Sequence, residues 1–167
     1  MFTRDGIRAL HGWTHESLDV LLRHVSSVPD GVLHNPIAGF GVPTIWKQLV
    51  HILEVEEAWV CDLQDKPWIH WREREPDCAT MQDLLHAKER VRRVTQTYLH
   101  SLTDTLLNTT LTHRPKEWVG PLKSPAFILH HIVTHTFHHK GQVVAMLRTL
   151  GYPAPDTDIQ RSEPQQA

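Results

Sequence analysis

The sequence holds only two cysteines, Cys61 and Cys78, and they do not form a CxxC pair. That spacing implies no cysteine zinc site. One pair is also too few for the disulfide framework of a small secreted domain, so a reducing, cytoplasmic setting is the expectation. Long apolar runs are missing too. None approaches the roughly 18–20 residues of a membrane span, and the N-terminus has no apolar stretch of the signal-peptide kind. Nor is there a surplus of positive charge: 17 Lys and Arg face 19 Asp and Glu, for a net charge of −2. A nucleic-acid partner would call for a basic excess, and neither nucleic acid nor membrane is expected as a partner. Internal repeats, low-complexity tracts and convincing long strands are absent as well. What remains, at 167 residues with 40% hydrophobic and 22% charged, is one soluble domain able to bury a core. A single count runs high: fourteen histidines, the residue most often used as a metal ligand.

Four stretches carry apolar residues at three- and four-residue spacing and read as long helices. The first spans about residues 5–27, with Ile7, Leu10, Thr14, Leu18, Leu21 and Val25 on one face. Three prolines and three glycines make residues 29–43 a connection. The second helix starts at a Thr44 N-cap, carries Ile45, Leu49, Ile52, Trp59 and Leu63, and closes at Lys66-Pro67. A polar loop over 64–79 is expected on the surface. Thr80 and Asp83 then have the spacing of a capping box, with Asp where Glu is usual, ahead of a third helix bearing Leu84, Lys88, Val91, Tyr98 and Leu102. The Thr-rich segment 104–123 reads as extended. The fourth helix is the best marked, with Ser124 as N-cap, Pro125 in the first turn, and Gly151 and Pro153 past its end. The result is an all-α bundle covering residues 1–155, followed by a polar, frayed tail over 156–167.

The fourth helix contains His130, His131, His135, His138 and His139. With each residue turning the wheel by about 100°, Ile128, Ile132, Val143, Met146 and Leu150 define a buried stripe. His135 and His139 fall inside it, one turn apart; His131 and His138 lie about a quarter-turn off, and His130 points away. Two imidazoles therefore stand where the packing pattern wants apolar groups, which is costly unless their nitrogens find partners. A metal ion is one partner that satisfies both rings, since an i, i+4 pair presents two nitrogens to one ion. The residue after His135 is Thr136, not the Glu of an HExxH protease, so the protease reading lacks its base and drops out. The other reading keeps both as core histidines hydrogen-bonded to backbone or neighbouring side chains.

A third ligand has to come from another helix. The wheel permits His51, at the edge of the second helix's apolar face, and by pattern alone His11 on the first helix is at least as good. His24, His86 and His100 face away from their core stripes, and His15, His34, His70 and His113 read as surface or loop residues. Glu56 lies within the second helix's apolar face, either orienting a ligand histidine or pairing with a cation on a neighbouring helix.

The run His135-Thr136-Phe137-His138-His139-Lys140-Gly141-Gln142, followed by Leu147-Arg148-Thr149-Leu150-Gly151, resembles the signature of DinB/YfiT-like proteins. His51 followed by Glu56, Glu57 and Trp59 is similar to that family's second-helix motif. The similarity takes in nearly the whole chain. It implies a DinB-like four-helix bundle with a long connection between the second and third helices. It also implies a divalent metal ion held by His51, His135 and His139. The choice of His51 over His11 comes from the resemblance. Lys140 stands where Arg is commoner in the family.

Three imidazoles with an open position suit zinc or nickel, and also iron or copper. The family includes low-molecular-weight thiol S-transferases, a thiol-dependent isomerase and proteins described as metal-dependent hydrolases. The expected function is therefore transfer of a low-molecular-weight thiol cosubstrate onto an electrophilic small molecule. Hydrolysis by metal-activated water is the first alternative, and a non-catalytic, metal-stabilised bundle the second. No protein general base stands out. Val133, Phe137 and Val144, off the main stripe, offer a face for a homodimer.

Overall fold

The computed structural model describes residues 1–68, 78–113 and 120–159. Six helices follow one another among them: α1 (Arg4–Val25), α2 (Asp30–Leu33), α3 (Ile45–Leu63), α4 (Met81–Ser101), α5 (Asp104–Asn108) and α6 (Pro125–Thr149). The four long ones are the four the periodicity predicts. No strand occurs among the described residues, and no helix there is long and apolar enough to cross a membrane.

Local chemistry sets the boundaries. The Thr44 hydroxyl accepts from the Lys47 N–H at 3.1 Å and starts α3. At the other end Asp65 takes a left-handed φ of 52°, while the N–H groups of Asp65 and Lys66 donate back to Asp62 and Cys61. This closes the last turn just before Pro67. The expected capping box is present on α4: the Asp83 N–H donates to Thr80 Oγ1 at 3.2 Å, and the Thr80 N–H donates to the Asp83 carboxylate at 2.9 Å. Asp is long enough for the reciprocal bond. On α6, Gly151 sits at φ 81°, and the Gly151 and Tyr152 N–H groups reach back to Arg148 and Leu147. That Schellman closure needs a residue without a Cβ penalty, which glycine supplies.

The segment from 104 differs from expectation. Residues 104–108 are helical, with Thr103 capping the Leu106 N–H; residues 114–119 lie outside those described. Two side chains tie this turn to the N-terminal segment. Asp104 accepts from the Arg4 N–H at 2.6 Å, and Asn108 exchanges bonds with both the N–H and the C=O of Phe2. The Thr103 cap and these partners about a hundred residues away hold one helical stretch at the start of the segment. Similarly, the connection over 29–43 contains the single turn α2. Most of the 64–79 loop, and His70 with it, lies outside the described residues.

The chain divides into two compact units, Met1–Leu10 with Leu53–Thr134, and His11–Ile52 with His135–Ala167. The first has its own core, in which Val60 and Leu63 of α3, Tyr98 and Leu99 of α4, Leu107 of α5 and Ile128, Leu129 and Ile132 of α6 are all buried. Thr95 there donates to Glu56 at 2.7 Å, so the buried α3 carboxylate has a hydroxyl partner on α4. The second unit buries Leu18, Leu21 and Leu22 of α1, Ile45, Leu49 and Ile52 of α3, and Val143, Met146 and Leu147 of α6. It also buries the polar side chains His11, His15, Ser17, Gln48, His139 and Lys140, as the first unit buries Glu56, Glu57, Asp62, Lys88 and Thr95.

Candidate metal centre

Within the second unit α3 supplies His51 and α6 supplies His135 and His139. One ring nitrogen from each lies within 4.8 Å of the others. His51 stands edge-on to both rings of α6, its centroid 5.0 Å from His135 and 4.7 Å from His139. His135 and His139, one turn apart, are 4.3 Å centroid to centroid. His139 is 7% exposed, whereas His51 and His135 are half-buried residues that keep part of their surface open to solvent.

The polar neighbours of His139 decide which of its nitrogens is available. Its Nδ1 is hydrogen-bonded to Gln48 Oε1. Gln48 is fully buried, and its carboxamide nitrogen donates to the Val42 carbonyl at 2.7 Å and to Gln142 Oε1 at 2.5 Å. Gln142 in turn donates to His138 Nε2 at 2.7 Å. With Nδ1 occupied, the Nε2 lone pair is the one His139 has left for a ligand.

Burial pushes the His139 pKa down from 6.5 to about 4, and the neighbouring His51 and His138 add repulsion against a second positive charge. At neutral pH the ring is uncharged, as a metal ligand must be. The same shift makes a prediction for the metal-free protein. Between about pH 6.5 and pH 4 the unfolded chain binds a proton at this ring and the folded chain does not. The contribution is thus fully present above pH 6.5 and is lost as pH falls toward 4, up to about 3 kcal/mol in all. Urea melts of metal-free protein and of His139→Gln over this range check it: the stability difference between the two will shrink as pH falls. A constant difference would contradict it.

Among the other candidates, His11 is not part of the trio. It lies one turn from His15 on α1, the two rings 4.4 Å apart and both buried. His15, expected at the surface, is therefore a buried residue, three before Leu18 on the same face. Glu56 is engaged by Thr95 in the first unit. His130 donates from Nδ1 to the Ala126 carbonyl, and His131 stands edge-on to Trp59 at 5.7 Å. His113 is bonded to the Asp62 carbonyl, while His34, His86 and His100 are exposed. Val133, Phe137 and Val144 are half-buried within the chain.

Three polar residues escape the sequence reading. Gln48 lies three after Ile45 and four before Ile52, inside the apolar stripe of α3. Lys140 lies four after buried Thr136 and three before Val143, and is 1% exposed. Its Nζ donates to Ser17 Oγ and, at 3.0 Å, to the Thr157 carbonyl, with the Phe137 ring 3.9 Å away. Ser17 also donates to Thr157, so residue 157, placed in a frayed tail from sequence, is held; residues 160–167 lie outside those described. A polar residue at a stripe position was the available signal for each.

The comparisons bear on the family and the fold. The model of the DinB family matches residues 1–166. The chain belongs to the DinB family. A DinB-like protein from Bacillus cereus ATCC 10987, known from its crystal structure, superimposes with a TM-score of 0.69 at 21% identity, over 92% of this chain and 97% of that one. No curated protein matches the sequence. The fold is therefore the all-α, DinB-like four-helix bundle, with the 64–80 connection between its second and third long helices.

The donor set fits the metal that the family resemblance implies. Around a tetrahedral ion with Zn–N bonds of about 2.0–2.1 Å, ligand nitrogens stand about 3.3 Å apart. The three imidazoles, with one nitrogen from each within 4.8 Å of the others, are grouped on that scale. His51, His135 and His139 thus form a group that can hold a metal ion.

Proposed function

We propose that this DinB family protein is a metal-dependent enzyme that transfers a low-molecular-weight thiol onto an electrophilic small molecule, with His51, His135 and His139 as the metal ligands. The observation that carries the reading is the grouping of one nitrogen from each of these residues, two of them on solvent-reachable side chains. A purely structural centre has no need of solvent access; a catalytic one does. Zinc or nickel suits three imidazole donors, with iron and copper also compatible. The divalent ion supplies Lewis acidity, which holds a thiol in its nucleophilic thiolate form at neutral pH.

The chain's own residues set the conditions for that chemistry. The three imidazoles bring no negative charge, so an anionic partner is favoured at the centre they surround. Burial of His139 keeps it uncharged and available, and the bond to Gln48 keeps its ring in one orientation. The thiol becomes a sulfide or thioether of the electrophile, its proton going to solvent and the leaving group departing with the electron pair of the broken bond.

Two measurements test the proposal. Elemental analysis of purified protein is expected to find about one divalent ion per chain. Metal-loaded protein with a panel of small thiols and a model alkylating electrophile is expected to accelerate disappearance of one thiol above the protein-free rate. Ester or amide cleavage without any thiol would shift the assignment to hydrolysis. No acceleration of either kind would leave a metal-stabilised bundle.

A further inference from the structure

The bonds around His139 run in one direction. His139 Nδ1 meets the Gln48 carbonyl oxygen, the Gln48 amide nitrogen meets Gln142 Oε1, and the Gln142 amide nitrogen meets His138 Nε2. A carboxamide and a neutral imidazole each offer both donor and acceptor, so such a chain has two possible senses. The Val42 carbonyl removes the choice. It can only accept, and Gln48 faces it at 2.7 Å, so the amide nitrogen of Gln48 is on that side and its oxygen is on the side of His139. His139 must then carry its proton on Nδ1 and donate it, which leaves Nε2 bare. The same sense makes Gln142 donate to His138 and assigns the His138 proton to Nδ1.

We infer that Gln48 is the positioning residue of the metal centre, fixing His139 in the Nδ1–H tautomer so that Nε2 is the ligand nitrogen. This rests on the metal-centre reading above. Its basis is a fully buried carboxamide that uses both amide hydrogens, on Val42 and Gln142, and turns its oxygen to His139. The placement repeats on both helices. Gln48 lies three residues before His51 on α3, and Gln142 three after His139 on α6, so each helix pairs a ligand with a member of the relay on one face. Ligand histidines held through their second nitrogen by an oxygen acceptor bind metal more tightly; loss of that partner commonly costs 10–100-fold in affinity.

Two variants and two readouts separate positioning from simple packing. Gln48→Met keeps the length and removes the acceptor; Gln48→Glu keeps an oxygen for His139 but loses the donors to Val42 and Gln142. Imidazole 15N NMR of metal-free protein is expected to show His139 protonated on Nδ1 in the wild type and in Gln48→Glu, with a shift toward Nε2–H in Gln48→Met. Competition titration with zinc is expected to show affinity reduced about 10–100-fold in Gln48→Met and restored to wild-type strength or better in Gln48→Glu, although both variants lose stability. A purely structural Gln48 would weaken zinc binding in both variants together, which would overturn the inference, as would an Nε2–H proton on His139 in the wild type. If the wild type binds no zinc, the metal centre itself fails, and the spectrum still decides the tautomer.

Discussion

Purified His139→Ala protein will bind zinc more than about 100-fold more weakly than wild type, beyond the 10–100-fold attached to loss of an outer partner. The substitution removes one of three grouped donors and the most buried of them. His135→Ala and His51→Ala should do the same, because no two imidazoles alone complete a centre of this kind. His100→Ala, on an exposed side chain bonded to its own helix at the Gln96 carbonyl, is the control and will retain the metal. The informative comparison is His51→Ala against His11→Ala. Only the first belongs to the trio, so only the first should lose the metal. Equilibrium dialysis with far-UV circular dichroism on each variant reads binding and folding separately. Full retention by both His135→Ala and His139→Ala would remove the metal centre.

Lys140→Glu will be the most damaging single substitution outside the trio, lowering stability by more than about 3 kcal/mol. The ammonium group is buried and donates to Ser17 and to the Thr157 carbonyl. Burial brings its pKa down from 10.5 to about 8, with Asp158 pulling the other way, so the group is charged at neutral pH. A carboxylate in its place would face a carbonyl oxygen and Asp158 with no donor but the Ser17 hydroxyl. Lys140→Met keeps the aliphatic stem and leaves Ser17 bonded to Thr157, so its cost is about 1 kcal/mol, the net worth of an ordinary hydrogen bond. Urea denaturation of the two variants checks the contrast, and limited proteolysis will find the residues around Thr157 cut faster in both. Equal stability of the Glu and Met variants would refute this role for Lys140.

The parts of the molecule that could be read in advance share one property: they depend on the direction a side chain faces. Periodicity places His135 and His139 on the buried stripe of α6, and cap chemistry at Thr44, Thr80 and Gly151 bounds three helices. Which neighbour it meets is another matter. The wheel cannot separate His51 from His11, because both lie on inward faces; what separates them is that His51 stands beside His135 and His139 while His11 stands beside His15, and no repeat encodes that. The same blindness hides Gln48 and Lys140. Each looks like a polar interruption until its partners, 94 residues away at Gln142 and 123 at Ser17, are known. Residues 104–108 show another case: in a segment whose pattern reads as extended, the Thr103 cap and the anchors on Phe2 and Arg4 hold a helical turn.

Gln48 and His51, and His135, His139 and Gln142, stand at intervals of one helical turn, and this limits how the chain can change in length. One residue inserted between Gln48 and His51 rotates one against the other by about 100°, separating ligand from support. The same insertion between His135 and Gln142 breaks up the α6 set. The connections carry no such constraint, so insertions and deletions compatible with metal binding should be confined to them, with α3 and α6 acting as fixed rulers.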